Sequence, residues 1–118
     1  MDDRSRPGEL DYIEDMLEAA EKIERYTDAM NREEFVSDEK TVDAVLRNLE
    51  ILGEASKVIS GDVREQAPEI PWSEMAGMRD KLIHGYATID LDIVWQTVSE
   101  DVPPLRSELE SLLVELDG

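Results

Sequence analysis

The amino-acid sequence predicts an all-α protein, a single antiparallel bundle of four to five helices joined by short loops. Apolar residues recur every three or four positions over most of the 118 residues, which is the spacing of helices with one buried face. Strands are not expected, because no stretch alternates apolar and polar residues and no Asn-Gly hairpin turn occurs. No linker or repeat divides residues 1–118, so we expect one domain with one core.

Two long helices are predicted in the first half of the chain. Residues 1–8 are polar and are expected to form a frayed lead-in. The apolar spacing then predicts one helix from about residue 9 to about residue 31. After a polar connection, a second helix is predicted from about residue 40 to about residue 60, with Ser37 or Asp38 as its cap.

The third long helix is the most informative part of the sequence. Residues 63–67 predict one short helical turn, and two prolines then impose an extended segment. A helix follows from residue 72 or 73 to about residue 86. Met75, Met78 and Leu82 recur at helical spacing within it, so we expect all three side chains to be buried.

The last helix contains an apparent interruption. Asp90 is a suitable cap for it, and Pro103 and Pro104 fall within its apolar pattern. The spacing of apolar residues nevertheless continues across both prolines, as far as Leu116. We therefore expect a helix that is kinked at Pro103-Pro104, or split there into two nearly collinear helices.

The charge of the chain is strongly negative, with 30 acidic and 12 basic residues and a formal net charge of −18. Eight of the basic residues are arginines and four are lysines. Acid excess with scarce lysine is typical of proteins adapted to a high-salt cytoplasm, where charges are screened over only about 3 Å. An ordinary acidic protein is the alternative. Either way, the charge opposes unspecific binding to nucleic acid at low salt.

Composition also excludes several kinds of site. The chain has no cysteine and a single histidine, so disulfides, thiolate metal sites and histidine-rich metal sites within one subunit are ruled out. We expect neither a metal nor another cofactor. No apolar run approaches the roughly 18 residues of a membrane span, and the first residues do not resemble a signal peptide. We therefore expect a cytoplasmic protein that makes no contact with membranes.

Arg79, His84 and Tyr86 form a polar set on the third long helix. Histidine can transfer a proton near neutral pH, and a guanidinium can hold a phosphate oxygen and stabilise developing charge. RNA supplies its own nucleophile, the 2′-hydroxyl, so this pair could cleave a phosphodiester without a metal. Asp80 lies one helical turn before His84, where its carboxylate could fix the imidazole tautomer. Spacing alone leaves a structural histidine and a surface ion pair as the alternative.

Glu54, Lys57, Arg64 and Lys81 could support such a site. Glu54 follows Gly53 inside the second long helix, where glycine costs about 1 kcal/mol relative to alanine. A close helix crossing explains the glycine, and Glu54 is then a residue of the polar face. Lys81, with Lys57 or Arg64, would add positive charge beside Arg79. Trp72 and Trp95 are expected in the core or at a subunit interface, with base stacking as the alternative.

The pattern Arg79-x4-His84-x-Tyr86 resembles the motif of the HepT-like family of HEPN ribonucleases, the toxin half of HepT–MntA toxin–antitoxin pairs. Pro71-Trp72 before the motif helix, Met75-Ala-Gly-Met78 within it and Gly53-Glu54-Ala55 on the preceding helix agree with the family. So do Val94-Trp95 and the stretch from Glu100 to Leu105 that follow it. The resemblance extends from about residue 10 to residue 116, and its weakest part is the first helix.

The resemblance implies a small helical domain that forms a homodimer, with the two motif helices facing each other across a cleft. Arg79 and His84 would be catalytic, with Asp80, Glu54 and Lys81 in support. The implied function is metal-independent endonucleolytic cleavage of RNA (tRNA or mRNA) by the toxin of a type VII-like toxin–antitoxin pair. The implied partner is an MntA-like minimal nucleotidyltransferase antitoxin that adds AMP to Tyr86, which would also contact RNA.

Two other functions remain open at this point. The first is a non-catalytic HEPN module that binds a nucleotide or a partner nucleotidyltransferase. The second is a helical adaptor whose acidic surface meets a basic protein. Both follow from the charge, since a dimer would carry twice −18, or −36, and should repel RNA.

Overall fold

The computed structural model describes residues 8–84 and 89–117, and within those ranges the chain is helical throughout apart from short connections. The described helices, in chain order, are α1 (Glu9–Tyr26), α2 (Arg32–Val36), α3 (Glu39–Val58), α4 (Gly61–Gln66), α5 (Trp72–Ile83), α6 (Leu91–Gln96), a π-helical segment (Thr97–Asp101) and α7 (Val102–Asp117). Neither described range contains a strand, and the predicted all-α fold is confirmed.

The bundle is built from α1, α3, α5 and the joined stretch from α6 to α7. Helix α3 packs against both α1 and α5, and α1 packs against α7. Glu9 at the start of α1 accepts from the backbone N–H of Ser60, just beyond α3, at 2.7 Å. Arg106 in the second turn of α7 donates to Glu24 near the end of α1. Both contacts join a helix start to a helix end, as expected of antiparallel neighbours.

The first connection differs from the expectation, because α1 ends at Tyr26 and a short helix, α2, follows. Thr27 donates its hydroxyl to the carbonyl of Ile23 at 2.8 Å, and Ala29 adopts a left-handed φ of 65°. Asn31 and Glu34 then form a capping box that starts α2. This box is present in the sequence, and it is the signal by which α2 could have been predicted.

The prolines of the last helix do not split it. Pro103 and Pro104 lie in the first turn of α7, directly after the π-helical segment, in which the N–H of Val102 bonds to the carbonyl of Thr97. A proline cannot donate to the preceding turn, and its ring crowds the carbonyl there. The wider π-helical turn tolerates both the missing N–H donor and the bulk of the ring. The predicted irregularity is therefore a π-helical segment within one joined helix.

The apolar seam of α5 is covered only in part. Leu82 is buried, as predicted, but Met75 and Met78 are half-buried, so that part of the prediction is wrong. Trp72 is buried and donates its indole N–H to the carbonyl of Ala67 at 3.1 Å, which fixes the start of α5. The two methionines instead line a groove between α3, α5 and the last helix.

Helices α3 and α5 approach closely at Gly53. A Cβ atom at this position would lie 2.2 Å from Cβ of Arg79 and 2.6 Å from the carbonyl oxygen of Met75. Neither atom belongs to the flexible end of a side chain, so neither can move aside cheaply. The close crossing predicted from the glycine is therefore present, and Arg79 lies directly on it.

We expect Gly53→Ala to destabilise the fold by about 1–3 kcal/mol, although alanine is the better helix former, because the added methyl overpacks the crossing. Gly77 in α5 is the matched control, since a Cβ there would meet nothing within 4 Å. Gly77→Ala should raise the free energy of unfolding by up to about 1 kcal/mol. Urea unfolding of both variants at one fixed salt concentration measures the difference. Equal behaviour of the two variants would contradict the close crossing.

Candidate active site at the end of the fifth helix

Arg79 extends from the crossing of α3 and α5 towards two carboxylates. Its side chain is 24% exposed, with Nη1 3.3 Å from Asp80 Oδ1 and Nη2 3.7 Å from Glu54 Oε2. Nε is buried and has no hydrogen-bond partner among the described residues. The guanidinium is thus held loosely on one side by acids, and its hydrogen-bonding capacity is incompletely used.

Asp80 connects α5 to α3 through its carboxylate. Lys57 on α3 donates from Nζ to Asp80 Oδ1 at 2.7 Å, and the same oxygen lies 3.3 Å from Arg79 Nη1. The hydrogen bond from Lys57, with a smaller contribution from Arg79, lowers the pKa of the Asp80 carboxyl below its ordinary value. The carboxylate therefore keeps its charge until the pH falls below that lowered pKa, where its contribution to stability is lost.

His84 lies immediately after the last residue of α5. Its backbone N–H bonds to the carbonyl of Lys81 at 3.3 Å, and its ring Nδ1 lies 2.5 Å from the carbonyl oxygen of Asp80. The contact predicted through the Asp80 carboxylate is therefore made by the backbone of the same residue instead. A carbonyl can only accept, so Nδ1 carries the hydrogen and Nε2 of the neutral ring is the proton acceptor. The imidazole is exposed, within reach of a ligand.

The structure brings four predicted site residues together: Glu54, Arg79, Asp80 and His84 are joined in a chain of contacts. Lys81 is exposed on the same turn but lines a groove between α5 and α6. The predicted modification site, Tyr86, lies outside the described residues. Its position relative to His84 stays a prediction.

Lys57 and Arg64 were both predicted only as extra positive charge, and the structure separates them. Arg64 donates from Nε to the carbonyl of Ile59 at 3.2 Å and from Nη2 to that of Ser56, so it caps the end of α3. Lys57 instead bonds to the site through Asp80. Its place follows from Gly53, since residues four apart share a face of a helix and the glycine face meets α5.

Two apolar grooves flank α5. One has a volume of about 410 Å³, a floor that includes Met75 and Met78, and four acidic residues on its rim. Those acids are Glu69, Glu74, Asp101 and Glu108. The other groove, of about 430 Å³, is lined by Met78, Leu82, Ile89 and Ile93. The helix that carries Arg79 is thus bordered by uncovered apolar surface on both sides.

Metal and membrane features are absent from the described residues. In residues 8–84 and 89–117 no three acidic or histidine side chains are grouped as a metal ion would require. No helix in that part of the chain has the length and apolar character needed to cross a membrane.

Comparison with known proteins agrees with the motif. A sequence model of the family described as "Ribonuclease HepT-like" matches residues 16–112, which include Gly53, Arg79 and His84. A protein of Thermococcus cleftensis named a probable ribonuclease HepT is 53% identical over 102 residues, covering 86% of this chain and 93% of that protein.

More distant relatives carry similar names. A putative RNase of Methanocaldococcus jannaschii is 41% identical over 107 residues, covering 91% of this chain and 88% of the relative. A putative RNase of Caldanaerobacter subterraneus is 37% identical over 102 residues, covering 86% of this chain and 91% of the relative. No solved structure matches the chain. The resemblance inferred from Arg79, His84 and their surroundings is thereby confirmed, and the chain belongs to the HepT-like ribonuclease family.

Proposed function

We propose that this protein is a metal-independent endoribonuclease that cleaves RNA through Arg79 and His84, and that it is the toxin of a toxin–antitoxin pair. One observation carries the assignment of residues: Asp80 contacts Arg79 with its carboxylate and His84 Nδ1 with its carbonyl. One residue thereby contacts both the guanidinium and the imidazole, and the contact leaves Nε2 of the neutral ring as its proton acceptor. Membership of the HepT-like family and the ribonuclease names of the relatives support the reaction class.

In the proposed reaction, Nε2 of His84 takes the proton from a ribose 2′-hydroxyl. The 2′-oxygen attacks the adjacent phosphorus, the bond from phosphorus to the 5′-oxygen breaks, and that oxygen leaves with a proton. The products are a 2′,3′-cyclic phosphate and a 5′-hydroxyl. Arg79 binds the non-bridging oxygens and stabilises the charge that develops on them. A second subunit's histidine, brought close by dimerisation, is the proposed source of the leaving-group proton.

Binding of RNA requires Arg79 to exchange its carboxylate contacts for a phosphate. The contacts to Glu54 and Asp80 are 3.7 and 3.3 Å long, beyond the length of a strong charge-assisted hydrogen bond. A phosphate can offer two oxygens to the planar guanidinium at shorter distances. Glu54 and Asp80 therefore preposition Arg79 without saturating it.

We further propose a homodimer in which the two α5 helices face each other. The half-covered methionines, the two grooves and the exposure of Ile83 (51%) and Ile93 (54%) leave apolar surface around the end of α5. A second copy would cover this surface and bring the two Arg–His pairs into one cleft. Salt would be needed to screen the charge of −36, twice the −18 of one chain.

The proposed partner is a minimal nucleotidyltransferase that transfers AMP to Tyr86. An added AMP would place an anion next to the motif and compete with RNA phosphate for Arg79. The alternative is a non-catalytic module that binds a nucleotide or that partner. The observations favouring it are the charge of −18 and the engagement of Arg79 by carboxylates.

We expect His84→Ala and Arg79→Ala each to reduce RNA cleavage by at least about 100-fold, since each removes a group that acts in the transition state. Cleavage by the natural protein should survive EDTA and leave 2′,3′-cyclic phosphate ends. The assay is end-group analysis of cleaved tRNA and mRNA over a range of salt concentrations. Glu54→Ala should lose less, because Glu54 only prepositions Arg79. Equal activity of His84→Ala and the natural protein would favour the binding module instead.

We expect a dimer in sedimentation at high salt, and Ile83→Glu should convert it to a monomer by burying a charge at the proposed interface. Val114→Glu is the matched control, because Val114 on α7 is 72% exposed and lies outside the proposed interface. The control should remain dimeric. A natural protein that sediments as a monomer at every salt concentration would contradict the composite cleft.

We expect the partner nucleotidyltransferase with ATP to add the mass of AMP to the natural protein but not to Tyr86→Phe. Intact-protein mass spectrometry measures the addition, and RNA cleavage measured in parallel shows whether it inhibits. Tyr26→Phe, on α1, is the matched control and should still be modified. Transfer of AMP to the Tyr86→Phe protein would place the modification elsewhere.

A further inference from the structure

Lys57 donates a hydrogen bond of 2.7 Å from α3 to Asp80 near the end of α5, and the proposed reaction does not use this lysine. We propose that Lys57 is a positioning residue, which holds the last turn of α5 through Asp80 and thereby keeps His84 in the tautomer that has its hydrogen on Nδ1. The catalytic consequence rests on the proposed ribonuclease function. The effect on the tautomer does not, and it can be measured separately.

The hydrogen bonding of α5 changes where the helix ends, at His84. In an unbroken α-helix the N–H of His84 would bond to the carbonyl of Asp80, four residues earlier. Here that N–H turns to Lys81 at 3.3 Å, and ring Nδ1 lies 2.5 Å from the Asp80 carbonyl instead. A carbonyl of the last helical turn is thus used to orient the imidazole.

The last turn of a helix frays unless another contact holds it. Asp80 lies in that turn, three residues before the final residue, Ile83. Lys57 holds it from α3 at 2.7 Å, whereas the other ion pair between the two helices, Arg79 with Glu54, is 3.7 Å long. Of the two ion pairs that the described residues form between the site and α3, Lys57 therefore makes the closer one.

The Asp80 carboxylate is contacted by two cationic side chains. Lys57 and Arg79 share Oδ1, with Lys57 the closer. Without Lys57 the Asp80 carboxylate loses its hydrogen bond to α3, and the last turn of α5 is free to fray. Lys57 thus keeps the Asp80 carbonyl aimed at the imidazole.

Lys57 and Asp80 are both partly exposed, at 40% and 47%, so their pair adds little to global stability. Lys57→Met should therefore fold normally while losing only the local restraint. Arg47→Met is the matched control: Arg47 is also on α3, about 15 Å or three turns earlier, and among the described residues it pairs with Glu50. Both variants change the net charge by the same amount.

The direct test is ¹⁵N NMR of the neutral imidazole, whose signals are assigned without ambiguity because the chain has one histidine. In the natural protein and in Arg47→Met we expect the Nδ1–H form to dominate, although a histidine side chain free in water prefers Nε2–H. In Lys57→Met the ring should shift towards the Nε2–H form. Lys57→Arg, which can still reach Asp80, should restore the natural signals.

The second readout is RNA cleavage under saturating and subsaturating substrate. We expect Lys57→Met to lower kcat by about tenfold with KM changed by less than about twofold, as for a residue that orients a reactive side chain. Lys57→Arg should recover most of kcat. The double variant Lys57→Met with Asp80→Asn should be no worse than the poorer single variant, because both residues act through one contact.

Two results would overturn the proposal. If Lys57→Met leaves the imidazole nitrogen signals unchanged, Lys57 does not set the tautomer, whatever happens to activity. If its KM rises with kcat unchanged, Lys57 binds RNA directly. Should neither the natural protein nor any variant cleave RNA, the proposed function fails, while the NMR comparison still decides the role of Lys57.

Discussion

The approach of α5 to the backbone of α3 at Gly53 is the contact on which the rest of the site depends. There is room for a hydrogen at this position and not for a methyl, since Cβ of Arg79 and the carbonyl of Met75 already occupy the space. This proximity puts Arg79 beside Glu54 and lets Lys57, one turn further along α3, reach Asp80. The polar contacts of the site therefore depend on helix packing, because α3 and α5 can come this close only where residue 53 has no side chain.

The fold class and the motif could be predicted because they depend on local patterns. Helical periodicity, the glycine inside α3 and the order of Arg79 and His84 on one helix can all be read along the chain. The part played by Lys57 could not be predicted, because an ion pair between residues 23 positions apart requires the crossing geometry. The burial of Met75 was overestimated for a related reason: periodicity identifies an apolar face, whereas its covering depends on neighbours.

The two cationic side chains that contact the Asp80 carboxylate are both already paired with acids. Arg79 and Lys57 meet carboxylates, and the chain as a whole carries −18. In the proposed function, anionic RNA therefore competes with the local carboxylates for Arg79 and is repelled by the acidic surface, and dissolved ions weaken both effects. A higher salt concentration would then strengthen the binding of RNA, whereas salt usually weakens the binding of proteins to nucleic acids.

The π-helical segment has a consequence for how apolar spacing is interpreted. Val94, Val98 and Val102 are all buried at intervals of four, and in an ideal α-helix two such steps would turn the side chains by about 80° away from the core. The wider turn over Thr97–Asp101 cancels much of this drift, and from Val102 onwards the buried positions return to intervals of three and four. The two consecutive intervals of four between Val94 and Val102 thus match the widened pitch that this helix adopts just ahead of its proline pair.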